Sequence, residues 1–109
     1  MPPSKLEWLI HVPDFPNSLE KRTALRPQHL ENLKPEVTSG NAVFGGATLE
    51  RHPGDGESPC MNGSFMLVYA ATEEEARSRV LDDVYAKNQV WDVANMEIWP
   101  FRCAVRVGM

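Results

Sequence analysis

Arg22, Arg26 and His29 fall at offsets of four and three within SLEKRTALRPQHLENL, so on a helix their side chains share one face. A neutral imidazole beside a carboxylate takes up and returns a proton near neutral pH, which makes His29 a candidate general acid/base and Asp83 a candidate to orient it. Guanidinium forks match planar oxyanions, so Arg22 and Arg26 are candidates to bind a carboxylate or phenolate. Tyr85 is a candidate donor to a substrate oxygen. Each has a plainer alternative. His29 would be a satisfied helix residue, with Asp82 and Asp83 on a solvated helix end; the arginines would pair with Glu20 or Asp82, and Tyr85 would pack half-buried. Residue types alone favour the plainer account of the His29–Asp83 pair.

Other chemistries find less support. His11, His29 and His52 are dispersed, with no His-x-His or His-Glu-x-x-His spacing, so no metal site is expected. Cys60 and Cys103 lack a Cys-x-x-Cys spacing and read as free thiols. Gly45 and Gly46 are not followed by the lysine and Ser/Thr of a phosphate-cradling loop. Trp8, Trp91 and Trp99 would stack on an aromatic ligand or, more commonly, fill core and interface. A net charge of -4 argues against nucleic acid or an anionic membrane as partner. No apolar run suits a signal peptide or a membrane span, so a cytoplasmic location is the expectation.

The elements that must position these groups follow from local pattern. With 109 residues, 42% of them hydrophobic, the chain reads as a single domain over 1–109. KLEWLIHV (5–12) alternates apolar and polar residues as a half-buried strand does, and PDFPN (13–17) ends it. Asn17 or Ser18 caps a helical turn from Leu19 to Leu25. Pro27 predicts a break near Arg26 and a second helical stretch to Thr38, buried along Leu30, Leu33 and Val37, kinked at Pro35 and stopped by Gly40. Residues 41–50 form a second strand, its Gly45–Gly46 pair suggesting a bulge, and the Gly- and Pro-rich 51–63 a long connection or lid.

SFMLVYAA (64–71) is a central strand, and Thr72 with Glu75 is a capping box opening a helix that buries Ala76, Val80 and Leu81 and loosens around 83–88. A last strand covers 94–101, with Pro100 favouring an edge. The order β-α-β-β-α-β predicts an α+β, ferredoxin-like fold: an antiparallel four-stranded sheet with two main helices on one face. The other face needs a cover, which a second copy would supply as a homodimer.

NSLEKRTALRPQHLENL (17–33) resembles the first-helix signature of the YCII-related (YciI-like) family, an LEKR element followed by Arg-Pro-x-His-Leu. DVYAKNQVWDVANMEIWPF (83–101) is similar to that family's Asp-Pro-Tyr segment, Val-Trp/Tyr pair and terminal Pro-Phe, and GSFMLVYAATEEEA (63–76) extends the likeness over nearly the whole chain. The resemblance implies a dimeric α+β barrel with His29 and Asp83 in one cleft, Arg22, Arg26 and Tyr85 nearby, and reverses the preference stated above for that pair. Val84 departs from the pattern, which has proline there, so the backbone presenting Asp83 is expected to be less rigid. Some relatives look like lyases or dehydrohalogenases acting on oxygenated aromatics. The expected function is a cofactor-independent lyase, dehydratase or isomerase moving a proton on a small oxygenated or phenolic metabolite. The rival is a non-catalytic small-molecule-binding or interaction protein of the same fold.

Overall fold

The computed structural model describes residues 5–108. Its four strands form one antiparallel sheet in the order β2-β3-β1-β4, with the helices against one face, so the ferredoxin-like expectation holds. Strand β1 (Leu6–Pro13) runs through the middle and turns Trp8, Ile10 and Val12 into the core. Strand β3 (Met61–Ala70) pairs through Gly63–Ala70 with the whole of β1 and adds Val68 and Ala70 to that side. Strand β2 (Ala42–Leu49) pairs with β3, and β4 (Glu97–Phe101) pairs only with β1, which leaves Pro100 on the edge where its missing N–H is harmless.

Helix α1 (Leu19–Thr38) runs unbroken through Pro27 and Pro35, contrary to the expected break at Arg26. Both prolines are exposed, and so are Thr23 and Glu31, whose carbonyls they leave without a helical partner and which water can satisfy. Side-chain bonds from Arg22 and His29 hold the helix on either side of Pro27. The sheet-facing stripe also differs from the one expected. Leu30 and Val37 are 43% and 60% exposed, while Arg22 is buried and Leu25, His29, Leu33 and Glu36 are half-buried. The inward stripe is thus largely ionisable. Ser18 occupies the cap position without a side-chain bond, and Asn17 takes φ 62°, a left-handed conformation that asparagine tolerates better than most residues.

The irregularities in β2 lie at Ala42/Phe44 and Thr48/Leu49, on either side of the Gly45–Gly46 pair and not within it. The connection expected to reach Gly63 ends earlier, because Gly63 belongs to β3. A Cβ at Gly63 would lie 2.7 Å from Thr48 Oγ1 and 2.9 Å from the Val12 carbonyl oxygen, so the close approach of both neighbouring strands explains the glycine.

Helix α2 (Glu73–Leu81) starts as expected: Thr72 Oγ1 accepts from the Glu75 amide at 3.1 Å, and Glu75 Oε2 accepts from the Ala71 amide at 3.1 Å. Ala76 and Val80 are buried, but Leu81 is 45% exposed. The stretch expected to loosen instead turns into a short helix α3 (Val84–Lys87), and the start of the expected last strand is a 3-10 turn (Val93–Asn95). Among the described residues no helix is long and apolar enough to cross a membrane.

Candidate functional site

Asp83 is the N-cap of α3: its extended backbone (φ −70°, ψ 145°) lets Oδ1 accept from the Tyr85 amide at 2.9 Å. The same oxygen lies 2.9 Å from His29 Nδ1. An ionised carboxylate only accepts, so Nδ1 carries the hydrogen, and in the neutral ring Nε2 keeps its lone pair; Nε2 has no partner among the described residues. The His29 ring lies nearly parallel to that of Tyr85, 4.1 Å between centroids and 14° between planes, and meets Trp91 edge-on at 5.8 Å. Stacking and the Asp83 bond together fix the ring. One α1 side chain is thereby locked against the segment that follows α2, 54 residues away.

Beneath this pair, Arg22 is anchored to the protein through its Nε and Nη2. Nε and Nη2 grip Asp14 at 2.7 and 3.0 Å, and Nη2 also donates to the Gly63 carbonyl (2.9 Å) and Ser64 Oγ (2.6 Å). Ser64 Oγ in turn accepts from Trp91 Nε1 at 3.1 Å. The guanidinium lies 4.8 Å from the centre of the Tyr85 ring, whose hydroxyl donates weakly to the Arg22 carbonyl at 3.4 Å. Burial raises the Tyr85 phenol pKa above its ordinary value; Arg22 opposes the shift and Asp83 adds to it. Tyr85 is therefore a neutral, buried platform for the imidazole.

These groups border a cavity of about 480 Å3 between α1, the sheet and α2. His29, Asp83, Tyr85 and Trp91 line one end, with Arg26 exposed beside it and in no ion pair among the described residues. At the other end, Arg79 donates to Glu75 Oε1 (2.6 Å) and to the Tyr69 carbonyl, and its Nε lies 3.9 Å from Glu36 Oε2, a buried oxygen with no hydrogen-bond partner among the described residues.

The structure brings together all five residues singled out from the sequence. It sets Arg22 on Asp14, not on Glu20 or Asp82. Asp14, Ser64 and the Gly63 carbonyl are additions that sequence reasoning missed. The available hint was Asp14 itself, an acid at the end of a strand eight residues before a helical arginine. No group of three or more His, Cys, Asp or Glu suited to hold a metal occurs among the described residues.

The sheet order, the helices on one face and the polar-ended cavity between them define a ferredoxin-like α+β domain with an imidazole–carboxylate pair in its cleft. The chain belongs to the YCII-related family: the YCII-related domain profile matches residues 6–102. It is 35% identical over 96 residues to Fusaric acid biosynthesis protein 2 of Gibberella fujikuroi, covering 88% of this chain and 92% of that protein. It is 37% identical over 98 residues to Aspartate kinase FUB3 of Fusarium oxysporum f. sp. lycopersici, and there it spans 90% of this chain but 18% of the relative. Among solved structures, 5-chloro-2-hydroxyhydroquinone dehydrochlorinase from Burkholderia phenoliruptrix, in complex with 2,5-dihydroxybenzoquinone, superposes with a TM-score of 0.76 at 27% identity, over 91% of this chain and 96% of that one.

Proposed function

We propose that this chain is an enzyme of small-molecule metabolism that eliminates or isomerises by proton transfer on an oxygenated, phenolic or enolisable substrate, without a cofactor. The observation that carries the proposal is the 2.9 Å His29–Asp83 bond on the wall of the cavity, which leaves a basic ring nitrogen unpartnered. His29 Nε2 takes a proton from the substrate, the freed electron pair forms the new double bond, and a leaving group departs with its own pair or the proton returns elsewhere on the substrate. Asp83 fixes the tautomer and stabilises the imidazolium. Arg26, exposed at the cavity edge, meets negative charge developing on the substrate oxygen. Arg22 is a positioning residue, since its Nε and Nη2 donors serve the protein.

The relative named for fusaric acid biosynthesis supports a place in small-molecule metabolism, and the 5-chloro-2-hydroxyhydroquinone dehydrochlorinase supports elimination on an oxygenated ring. Once a substrate has been found by screening chlorinated and unchlorinated hydroxyhydroquinones, His29→Ala should fold normally and lose about 10²- to 10⁴-fold in kcat. Unchanged turnover in a folded His29→Ala protein ends the proposal. Ligand binding with no turnover in the parent protein favours the binding-protein rival.

The active form in this reading is a homodimer closed over the open sheet face. Phe65 and Trp99 stack there at 6.1 Å between centroids, and Trp99 and Phe101 remain 39% and 41% exposed. Sedimentation equilibrium at micromolar concentration that shows monomer alone would remove that part.

A further inference from the structure

The cavity extends well past the groups that would do the chemistry. His29, Leu33 and Glu36 are consecutive half-buried positions of the α1 stripe, and at 1.5 Å per residue the run from His29 to Glu36 spans about 10 Å. A cavity of about 480 Å3 falls within the range that holds drug-sized ligands, larger than a single six-membered ring. The apolar part of its lining is Leu33 from α1, Met66 and Val68 from β3 and Ala76 and Val80 from α2, with Val37 at the rim beyond Glu36. Val68, Ala76 and Val80 are 7%, 0% and 2% exposed and back the cavity from the packed core, while the half-buried Leu33 and Met66 offer it accessible hydrocarbon.

We propose that the substrate carries an apolar arm, an alkyl or alkenyl chain on its oxygenated ring, which lies along Leu33 and Val37 over Val68 and reaches toward Glu36 and Arg79. This rests on His29 marking the reacting end. The occupant follows from continuity: one cavity joins the His29 end to the hydrocarbon recess, so a molecule reacting at His29 has this recess as the place for its remainder. Leu33 sets chain-length specificity, because it lies one helical turn past His29 on the same face, between the two polar ends. The exposure of Val37 at the rim is then the feature of a ligand entrance, and an apolar side chain of α1 left exposed in the free chain acquires a partner.

Titration calorimetry with 2,5-dihydroxybenzoquinone and its 3-alkyl homologues, methyl to hexyl, tests this directly. Affinity should rise about three- to fourfold per methylene and level off once the recess is filled. In Leu33→Asn the ratio of hexyl to parent affinity should fall toward one. Val37→Glu, at an exposed position that tolerates charge, should reduce the same ratio if Leu33→Asn fails to fold. A parent quinone that binds with no gain per methylene overturns the arm alone. Gains that persist undiminished in Val37→Glu also overturn it. Loss of dimer in Val37→Glu, with the gains intact, assigns the recess to a second copy instead. A parent quinone that does not bind overturns both this proposal and the reading of the reacting end.

Discussion

Arg22 and His29 lie seven residues apart on the same stripe of α1, and each is bonded to an aspartate from another part of the chain. Their surroundings differ. The Arg22 and Asp14 side chains are each 4% exposed, with the guanidinium tied also to Gly63 and Ser64; His29 and Asp83 are 14% and 9% exposed. A guanidinium gripped by protein acceptors at both Nε and Nη2 is fixed in place, whereas an imidazole held by one nitrogen keeps the other for chemistry. One helix face therefore carries two hydrogen-bonded pairs with separate duties: the first docks α1 on β3 and the end of β1, and the second presents a base to the cavity.

Arg22→Ala should break this contrast most forcefully. It leaves Asp14 buried beside an empty space, a situation that costs about 3–5 kcal/mol, and urea unfolding should show the loss as a lower midpoint with an unchanged slope. His29→Ala should cost about 1 kcal/mol or less by the same measurement, since Asp83 keeps its bond to the Tyr85 amide and water can replace the ring. Similar stability losses for the two variants would erase the distinction between docking pair and reactive pair.

Asp83→Asn sharpens the reactive side. Asparagine caps a helix about as well as aspartate, so α3 should persist with stability changed by less than about 1 kcal/mol. The charge that stabilises the imidazolium is gone, and kcat should fall about 10²-fold. Asp83→Ala should add a loss of about 1 kcal/mol from the missing cap. Asn turnover equal to that of the parent, measured on the folded protein, would leave Asp83 as a cap and nothing more.

What the sequence disclosed was whatever depends on near neighbours. The alternation of Trp8, Ile10 and Val12 marks β1, and Thr72 with Glu75 marks the start of α2, because both signals are complete within a few residues. The reach of α1 was not visible, since Pro27 is a local break signal overridden by anchors at Arg22 and His29, whose partners lie up to 42 and 54 residues away. Gly63 was misread for a related reason: glycine marks loops in general, and here it marks the crowding of three strands. The site's five residues came from motif resemblance. Local pattern could not show which groups hold Arg22, because Asp14, Gly63 and Ser64 meet it only in the folded chain.

The smallest expected effect concerns Val84, the position where the family pattern has proline. Val84 is the first residue of α3, its amide donates no hydrogen bond among the described residues, and proline at a first helical position sacrifices nothing. Proline also restricts the residue before it to extended backbone, and Asp83 already has φ −70° and ψ 145°. Val84→Pro should therefore raise stability by about 0.4–1 kcal/mol through the unfolded chain, less whatever the half-buried valine contributes to packing. Because Asp83 is held by the Tyr85 amide and by His29 whichever residue follows it, kcat should change less than twofold. A large rise in kcat would mean that valine leaves the carboxylate loosely held, so that the cap and the imidazole bond are not enough to fix it. Unchanged kcat with a higher unfolding midpoint would show that the geometry of the reactive pair is set by its own hydrogen bonds, as that of the Arg22 pair is.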